Sequence, residues 1–257
     1  MRRHLVSAGA LIGSILSLIL CGSVASAAEV KVASGRGFSP VLDALAGDFE
    51  RTSGHKLIIG YGPGKAIRDK IRNGELADVV IIPRPLVEEL VAEKKVVADS
   101  MVNIAHSDVA LGVRAGATKP DVTSREGFKR SLLAAKSIVC SDPAIGATTS
   151  AYFTRALDQL GIADQVRPKI KFVADPHTAD FVVRGEADIA VQLANELLAV
   201  PGIEAVPLPP EFQTQDFIFA AGVTTATKEI EPARSFIRFL AAPAAVPVIK
   251  AKHLDPG

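Results

Sequence analysis

Strand-like and helix-like segments alternate along the chain, and this alternation restricts its fold more than any other feature. Strands are predicted at 30–33, 56–60 and 77–82, and helices at 39–52, 65–73 and 86–94. Residues 77–82 are almost wholly apolar, as expected of a strand that is covered on both faces. Three successive strand–helix units predict parallel strands in a sheet that lies between helices.

The alternation continues to the end of the chain. Further strands are predicted at 109–114, 137–141, 170–173, 188–193 and 217–223, and further helices at 125–135, 150–160, around 181–182, 194–198 and 232–240. The sequence contains no internal repeat, low-complexity tract or long linker. An α/β fold follows, large enough for one big domain or two smaller ones.

The first 27 residues have the organisation of a secretory signal peptide. Met1-Arg2-Arg3-His4 is basic, residues 5–20 are uncharged, and Ala25-Ser26-Ala27 has small residues where a signal peptidase cleaves. The apolar run is shorter than the roughly 20 residues that a transmembrane anchor needs. Cys21 and Arg2-Arg3 match lipidation and twin-arginine signals poorly. We therefore expect export to the periplasm and a mature chain that does not span the membrane.

Charge and cysteine content limit what the mature chain can do. Loss of Arg2 and Arg3 with the leader changes the formal net charge from +1 to −1, and Cys140 is the one cysteine that remains. A nucleic-acid binder would carry a basic excess, and an internal disulfide needs a second cysteine. The sequence has no Walker A or dinucleotide motif, and its five histidines are scattered. We expect no cofactor and no metal site.

Turns rich in glycine and hydroxyl residues follow several of the predicted strands. Ligands of open parallel sheets bind beyond the carboxyl ends of the strands, where helix N-termini favour anions. These turns could also be ordinary glycine and serine turns, but several at successive strand ends favour a site. The ligand-binding candidates are Ser34, Gly35, Arg36, Gly64, Lys65, Gly146, Ala147, Thr148, His177 and Gln192.

Several motifs resemble the molybdate-binding family of type II solute-binding proteins. They are Val32-Ala33-Ser34, the stretch from Gly74 to Ile81, Gly161-Ile162 and the stretch from Gly185 to Ile189. The resemblance implies a two-lobed periplasmic-binding-protein type II fold, in which each lobe has a mostly parallel sheet between helices. Lobe I would comprise 28–108 and 213–257, and lobe II 109–212, with crossings near 107–110 and 209–215. It also implies a monomer that closes on a small ligand and delivers it to an ABC transporter permease.

The candidate pocket differs from the family pattern in the ligand that it favours. Ser34 matches the family's first serine, but Pro63-Gly64-Lys65 stands where the second loop has serines, and Gln192 stands where an aromatic hydroxyl is expected. The positive charges of Arg36 and Lys65 favour a ligand with its own carboxylates. A polycarboxylate is therefore expected in preference to molybdate.

A closer resemblance connects the chain to an enzyme on the same fold. Gly112-Val113-Arg114-Ala115-Gly116, Lys119-Pro120-Asp121, Ser141-Asp142-Pro143, Pro201-Gly202-Ile203 and Leu254-Asp255-Pro256-Gly257 look like a subfamily related to periplasmic aconitate isomerase. The resemblance implies a cofactor-independent allylic proton shift as the alternative to binding alone. Such a shift needs an acid or base near the substrate carbon. Lys65, Tyr61 and His177 are the candidates, and the sequence does not choose among them.

Overall fold

The computed structural model describes residues 27–174, 177–213 and 217–257, and within these ranges eleven strands form two sheets. The strands are β1 (Glu29–Gly35), β2 (Lys56–Gly62), β3 (Val79–Pro83), β4 (Val102–His106), β5 (Val109–Arg114), β6 (Ile138–Ser141), β7 (Ile170–Val173), β8 (Ile189–Leu193), β9 (Ile203–Pro207), β10 (Ile218–Val223) and β11 (Asp255–Pro256). The predicted signal peptide, 1–27, lies outside the described residues except for Ala27.

Helices cover the faces of both sheets. They are α1 (Ser39–Ser53), α2 (Gly64–Arg72), α3 (Arg84–Ala92), α4 (Arg125–Ala134), α5 (Thr148–Leu160), α6 (Ala163–Val166), α7 (Thr178–Val183), α8 (Ala194–Leu198), α9 (Ile230–Leu240) and α10 (Val246–Ala251). In the described part of the chain, no helix is both long enough and apolar enough to cross a membrane.

The strands of the two sheets are arranged in a similar order and with similar directions. The first sheet has the order β11-β4-β10-β3-β1-β2, and the second has the order β7-β6-β8-β5-β9. In each sheet, three consecutive strand–helix units supply a parallel group, β1–β3 or β6–β8. The next strand in the order, β10 or β5, runs antiparallel to both of its neighbours. Both sheets are therefore mixed, so the prediction of a mostly parallel sheet in each lobe is wrong in that detail, because antiparallel strands from distant parts of the chain complete each sheet. The two-lobed α/β architecture is confirmed.

The chain passes between the sheets twice. Ser107 and Asp108 join β4 to β5, and the segment after β9 leads back to β10. The predicted second crossing, 209–215, ends within 214–216, which lie outside the described residues. The exact lobe boundaries stay a prediction.

Burial explains why the first elements form where they do. Val41, Leu42, Leu45 and Phe49 lie on one buried face of α1, which ends at Gly54 in the left-handed region with φ 75°. All five residues of β3 are buried because helices cover both faces of the sheet.

The repeated Ala-Asp pair of the sequence ties neighbouring strands together. Asp78, just before β3, accepts hydrogen bonds from the Lys31 N–H at 2.7 Å and from the Thr227 hydroxyl at 2.5 Å. Asp188, just before β8, accepts hydrogen bonds from the Lys136 and Ser137 N–H groups at 2.8 and 3.3 Å. Both carboxylates fix the start of the adjacent parallel strand, so this motif supports the fold and lies away from the ligand.

Candidate functional site

A cavity of about 110 Å³ lies between the two sheets, at the carboxyl ends of β1, β2, β3, β6 and β8. One water molecule needs roughly 10–15 Å³ of such space, so a small organic ion has room. The cavity is lined by six of the candidates from the sequence, namely Gly35, Arg36, Gly64, Ala147, Thr148 and Gln192. These residues come from both sheets, which places the cavity where the resemblance expects a ligand.

The other candidates lie beside this central cavity or away from it. Ser34 is fully buried, and its hydroxyl donates to the Gly35 carbonyl at 3.2 Å. His177 is exposed just before α7 and is not among the cavity-lining residues. Tyr61 lies in a groove of the first sheet, and its hydroxyl donates to Asp43 at 2.5 Å. Burial and the Asp43 carboxylate raise the pKa of Tyr61.

Gly146 and Gly37 mark two places where the halves of the molecule touch. A Cβ at Gly146 would lie 3.0 Å from the backbone nitrogen of Ala66, at the start of α2. A Cβ at Gly37 would lie 2.8 Å from the Phe219 ring and 2.9 Å from Leu193. The Asn195 side-chain amide donates to the Gly37 carbonyl at 2.7 Å. The cleft is therefore closed around the cavity, and glycine is needed where the two halves meet.

Lys65 lines a second cavity that adjoins the first. This recess of about 560 Å³ also contains Arg155, and it shares Pro83, Thr148 and Phe217 with the central cavity. The Arg155 guanidinium lies over the Tyr152 ring, 5.6 Å from its centre. We call this space the Lys65–Arg155 recess. Each of the two adjoining spaces thus has at least one cationic side chain in its lining, Arg36 in the central cavity and Lys65 and Arg155 in the recess.

Three residues with hydroxyl groups lie on the side of the central cavity formed by the second half of the molecule. Ser141 ends β6, and Thr148 and Thr149 begin α5. The first turn of a helix has unpaired N–H groups, so these residues combine hydroxyl donors with a favourable helix dipole. The arrangement can bind anionic oxygen atoms.

Glu196 is a site residue that the sequence reasoning missed. Its carboxylate lines the central cavity and accepts hydrogen bonds from the Leu193 N–H and the Gln192 amide. The Gln192 carbonyl oxygen in turn accepts a hydrogen bond from the buried Thr178 hydroxyl at 2.6 Å. Burial raises the pKa of Glu196 to about 7, against the opposing effect of these donors and of Arg36. The sequence does contain a signal for Glu196: it lies four residues beyond Gln192, in the helix that follows the end of a strand.

Cys140 does not line the central cavity. Cys140 is buried in β6, and burial raises the pKa of its thiol to about 12, which agrees with the prediction of an inert thiol. Within 27–174, 177–213 and 217–257, no group of three His, Cys, Asp or Glu side chains is arranged to hold a metal ion.

Several proteins resemble this chain in sequence or in fold. The chain is 31% identical to an aconitate isomerase of Pseudomonas sp over 88% of this chain and 87% of that protein. It is 26% identical to the molybdate-binding protein ModA of Azotobacter vinelandii, covering 90% and 92% of the two chains. The solved periplasmic molybdate-binding protein of Azotobacter vinelandii superposes with a TM-score of 0.71 at 23% identity, covering 88% of this chain and 98% of that chain. The model of the bacterial extracellular solute-binding protein family matches residues 30–254, and the chain belongs to that family.

Proposed function

We propose that the protein binds a small polycarboxylate in the cleft between its two sheets. One observation carries this proposal: the central cavity with Arg36 and the Lys65–Arg155 recess adjoin each other and share Pro83, Thr148 and Phe217 as lining residues. A compact tetrahedral oxyanion can occupy one of these spaces. A polycarboxylate can place one carboxylate in each, where guanidinium or ammonium groups provide charge-assisted hydrogen bonds.

The biological role that we propose is delivery of this ligand to a membrane transporter. The predicted signal peptide at 1–27 supports export to the periplasm, and proteins of this family bind solutes outside the cell. Closure of the two halves around the ligand would give the partner, an ABC transporter permease, a shape that differs from the empty form. We expect a monomer because the resemblance to solute-binding proteins implies one. We expect no nucleic-acid partner, since the mature net charge is close to zero.

A thermal-shift screen of the exported chain tests the ligand class. Citrate, cis-aconitate, trans-aconitate, sulfate and molybdate are added separately, because a ligand that binds only the folded state raises the melting temperature. We expect the polycarboxylates to raise it and the two tetrahedral oxyanions to raise it less. Stabilisation by molybdate or sulfate, with none by the polycarboxylates, would overturn the proposed ligand class.

An isomerase is the second candidate function, and Glu196 is the observation that favours it. An allylic proton shift needs a titratable group inside the cavity, and Glu196 provides one with a pKa raised to about 7 by burial. The 31% identity to an aconitate isomerase supports the same reaction class. Neither Tyr61 nor His177 lines the central cavity, and Lys65 reaches only the adjoining recess.

An absorbance assay of aconitate separates the two candidates. The purified chain is incubated with cis-aconitate or trans-aconitate, and the approach to equilibrium is followed from both directions. Binding without turnover agrees with the solute-binding role. Turnover that follows the protein through purification would favour the isomerase.

A further inference from the structure

The carboxyl group of Glu196 is held in the wall of the central cavity. It lies at the start of α8, one turn beyond the end of β8. The Leu193 N–H and the Gln192 amide both donate to it, and Thr178 fixes the orientation of Gln192 through its hydroxyl. The Glu196 side chain is therefore positioned to face a ligand.

A carboxylate in an anion cavity creates an electrostatic conflict. The cavity wall has two charged side chains in the described part of the chain, Arg36 and Glu196. An anion with two or more charges gains from Arg36 but is repelled by an ionised Glu196. Two like charges held together in a desolvated space cannot both stay ionised at low cost, so one of them takes up a proton.

We propose that the anion binds together with one proton, which resides on Glu196 in the liganded cavity, so that the Glu196 carboxyl donates a hydrogen bond to the anion. The proton comes from solvent, and no bond to carbon forms or breaks. One carboxyl oxygen keeps the Leu193 and Gln192 donors while the O–H points to the ligand. This inference rests on the proposed anion-binding function and adds a binding residue to it.

The other charged groups near Glu196 either carry a positive charge or have partners elsewhere, so Glu196 is the group expected to take up the proton. From the segment after β1, Arg36 faces it, and from β10, Phe219 lies near it across Gly37. On β5 and β9, the charged side chains bond elsewhere: Arg114 donates to backbone carbonyls of α7, and Glu204 pairs with Lys119. Asp108, whose carbonyl accepts from the first N–H of α8, has its carboxylate 3.5 Å from His106.

The pKa of Glu196 in the empty cavity means that protonation costs little free energy near neutral pH. Burial raises the pKa of Glu196 to about 7, so half of the molecules hold the proton at that pH. A bound anion raises the pKa further, because it disfavours the ionised carboxylate. Below pH 7 the empty cavity already holds the proton, so Glu196 adds no further pH dependence to the affinity. Above pH 7 each binding event must take up a proton, and affinity should fall by up to about ten-fold per pH unit.

Calorimetric titration at pH 8 tests the proposal directly. Trans-aconitate, citrate, sulfate and molybdate are each titrated in two buffers of different ionisation enthalpy, and the difference in heat counts the protons taken up. All four anions are fully ionised at pH 8, so they contribute no proton release. For every anion that binds, we expect uptake of about one proton and a roughly ten-fold loss of affinity from pH 8 to pH 9.

Two variants locate the proton on Glu196. Glu196→Gln keeps a hydrogen-bond donor without a titrating group, so it should bind the same anion with no proton uptake and with equal affinity at pH 8 and pH 9. Glu231→Gln changes an exposed carboxylate on α9 and should behave as wild type. Persistent proton uptake in Glu196→Gln would overturn the assignment.

The wild-type measurement decides the question even if Glu196→Gln does not fold. Anion binding without proton uptake overturns the coupling and leaves the proposed function standing. Absence of binding by all four anions overturns the proposed function and the coupling together.

Discussion

The two sheets are built on the same plan, but the turns at their inner ends have different chemistry. Each sheet has a parallel group of three strands, and each has an aspartate that fixes the start of a neighbouring strand. The first-sheet turns bring Arg36 and Lys65, whereas the second-sheet turns bring Thr148, Thr149 and Glu196. The shared plan positions strand ends around a cleft, and the side chains that surround those ends differ in chemistry between the two halves.

Replacement of the two strand-fixing aspartates should reveal how different their surroundings are. Asp78→Ala leaves the Lys31 N–H and the Thr227 hydroxyl without an acceptor at a nearly buried position, and we expect a loss of about 3 kcal/mol in the free energy of unfolding. Asp188 is exposed, so water can replace its carboxylate, and Asp188→Ala should cost about 1 kcal/mol or less. Urea unfolding of both variants measures the difference. Equal losses in the free energy of unfolding would show that the two aspartates stabilise the fold to the same extent despite their different exposure.

Much of the fold could be predicted from local sequence pattern. The helix predicted at 39–52 is α1 (Ser39–Ser53), and the strand predicted at 109–114 is β5 (Val109–Arg114). Strands β4 and β9 were not predicted, because neither has a clear alternating or fully apolar pattern. β4 is held by β10 and β11, and β9 by β5, so their pairing is decided by residues far away in sequence.

The site could be predicted less completely than the fold. Strand-end turns indicated Arg36, Thr148 and Gln192 because they follow recognisable strands, and the structure brings these three together. Which side chains face the cavity depends on how the two halves close, through contacts such as Asn195 with Gly37, 158 residues apart. Local pattern does not encode such contacts, which is why Glu196 was missed. The role predicted for Ser34 stays a prediction.

Removal of the first-sheet cations should produce the largest effect on ligand binding. Arg36→Ala deletes the guanidinium of the central cavity, and loss of one partner of a charge-assisted pair costs about 2 kcal/mol or more. We expect about a 30-fold rise in Kd for the polycarboxylate identified by thermal shift. Lys65→Ala should act in the same direction with a smaller effect, because Lys65 lines the recess and not the central cavity.

Calorimetry with Arg51→Ala as the control checks this prediction. Arg51 is exposed at the end of α1 and pairs with Asp48, so its loss should leave Kd unchanged. Wild-type Kd values in both Arg36→Ala and Lys65→Ala would contradict the assignment of ligand-binding roles to these two cations.

Two glycines of the second half have left-handed backbone conformations, and only one of them lies at a contact across the cleft. Alanine variants at both positions therefore distinguish the effect of that contact from the effect of backbone strain. Gly146 has φ 87° and Gly202 has φ 86°, so alanine at either position should cost about 1 kcal/mol in stability. Only at Gly146 would the new Cβ press on α2, 3.0 Å from the Ala66 nitrogen. Gly146→Ala should therefore also weaken binding by about five-fold, roughly 1 kcal/mol. Gly202→Ala should bind as wild type, and equal Kd values for both variants would show that closure tolerates the methyl group.

The smallest expected effect concerns the hydroxyl chemistry of the second sheet. Thr148 lines both the central cavity and the Lys65–Arg155 recess, so its hydroxyl can contact a ligand that spans them. Thr148→Val keeps the shape of the side chain and removes one neutral donor, and a neutral hydrogen bond contributes about 1 kcal/mol or less. We expect about a three-fold rise in Kd for a polycarboxylate, measured by calorimetry, with the melting temperature of the unliganded protein nearly unchanged. A loss of affinity as large as that of Arg36→Ala would mean that the Thr148 hydroxyl contributes as much binding energy as the Arg36 guanidinium. The side of the cavity formed by the second half would then contribute as strongly as the side formed by the first.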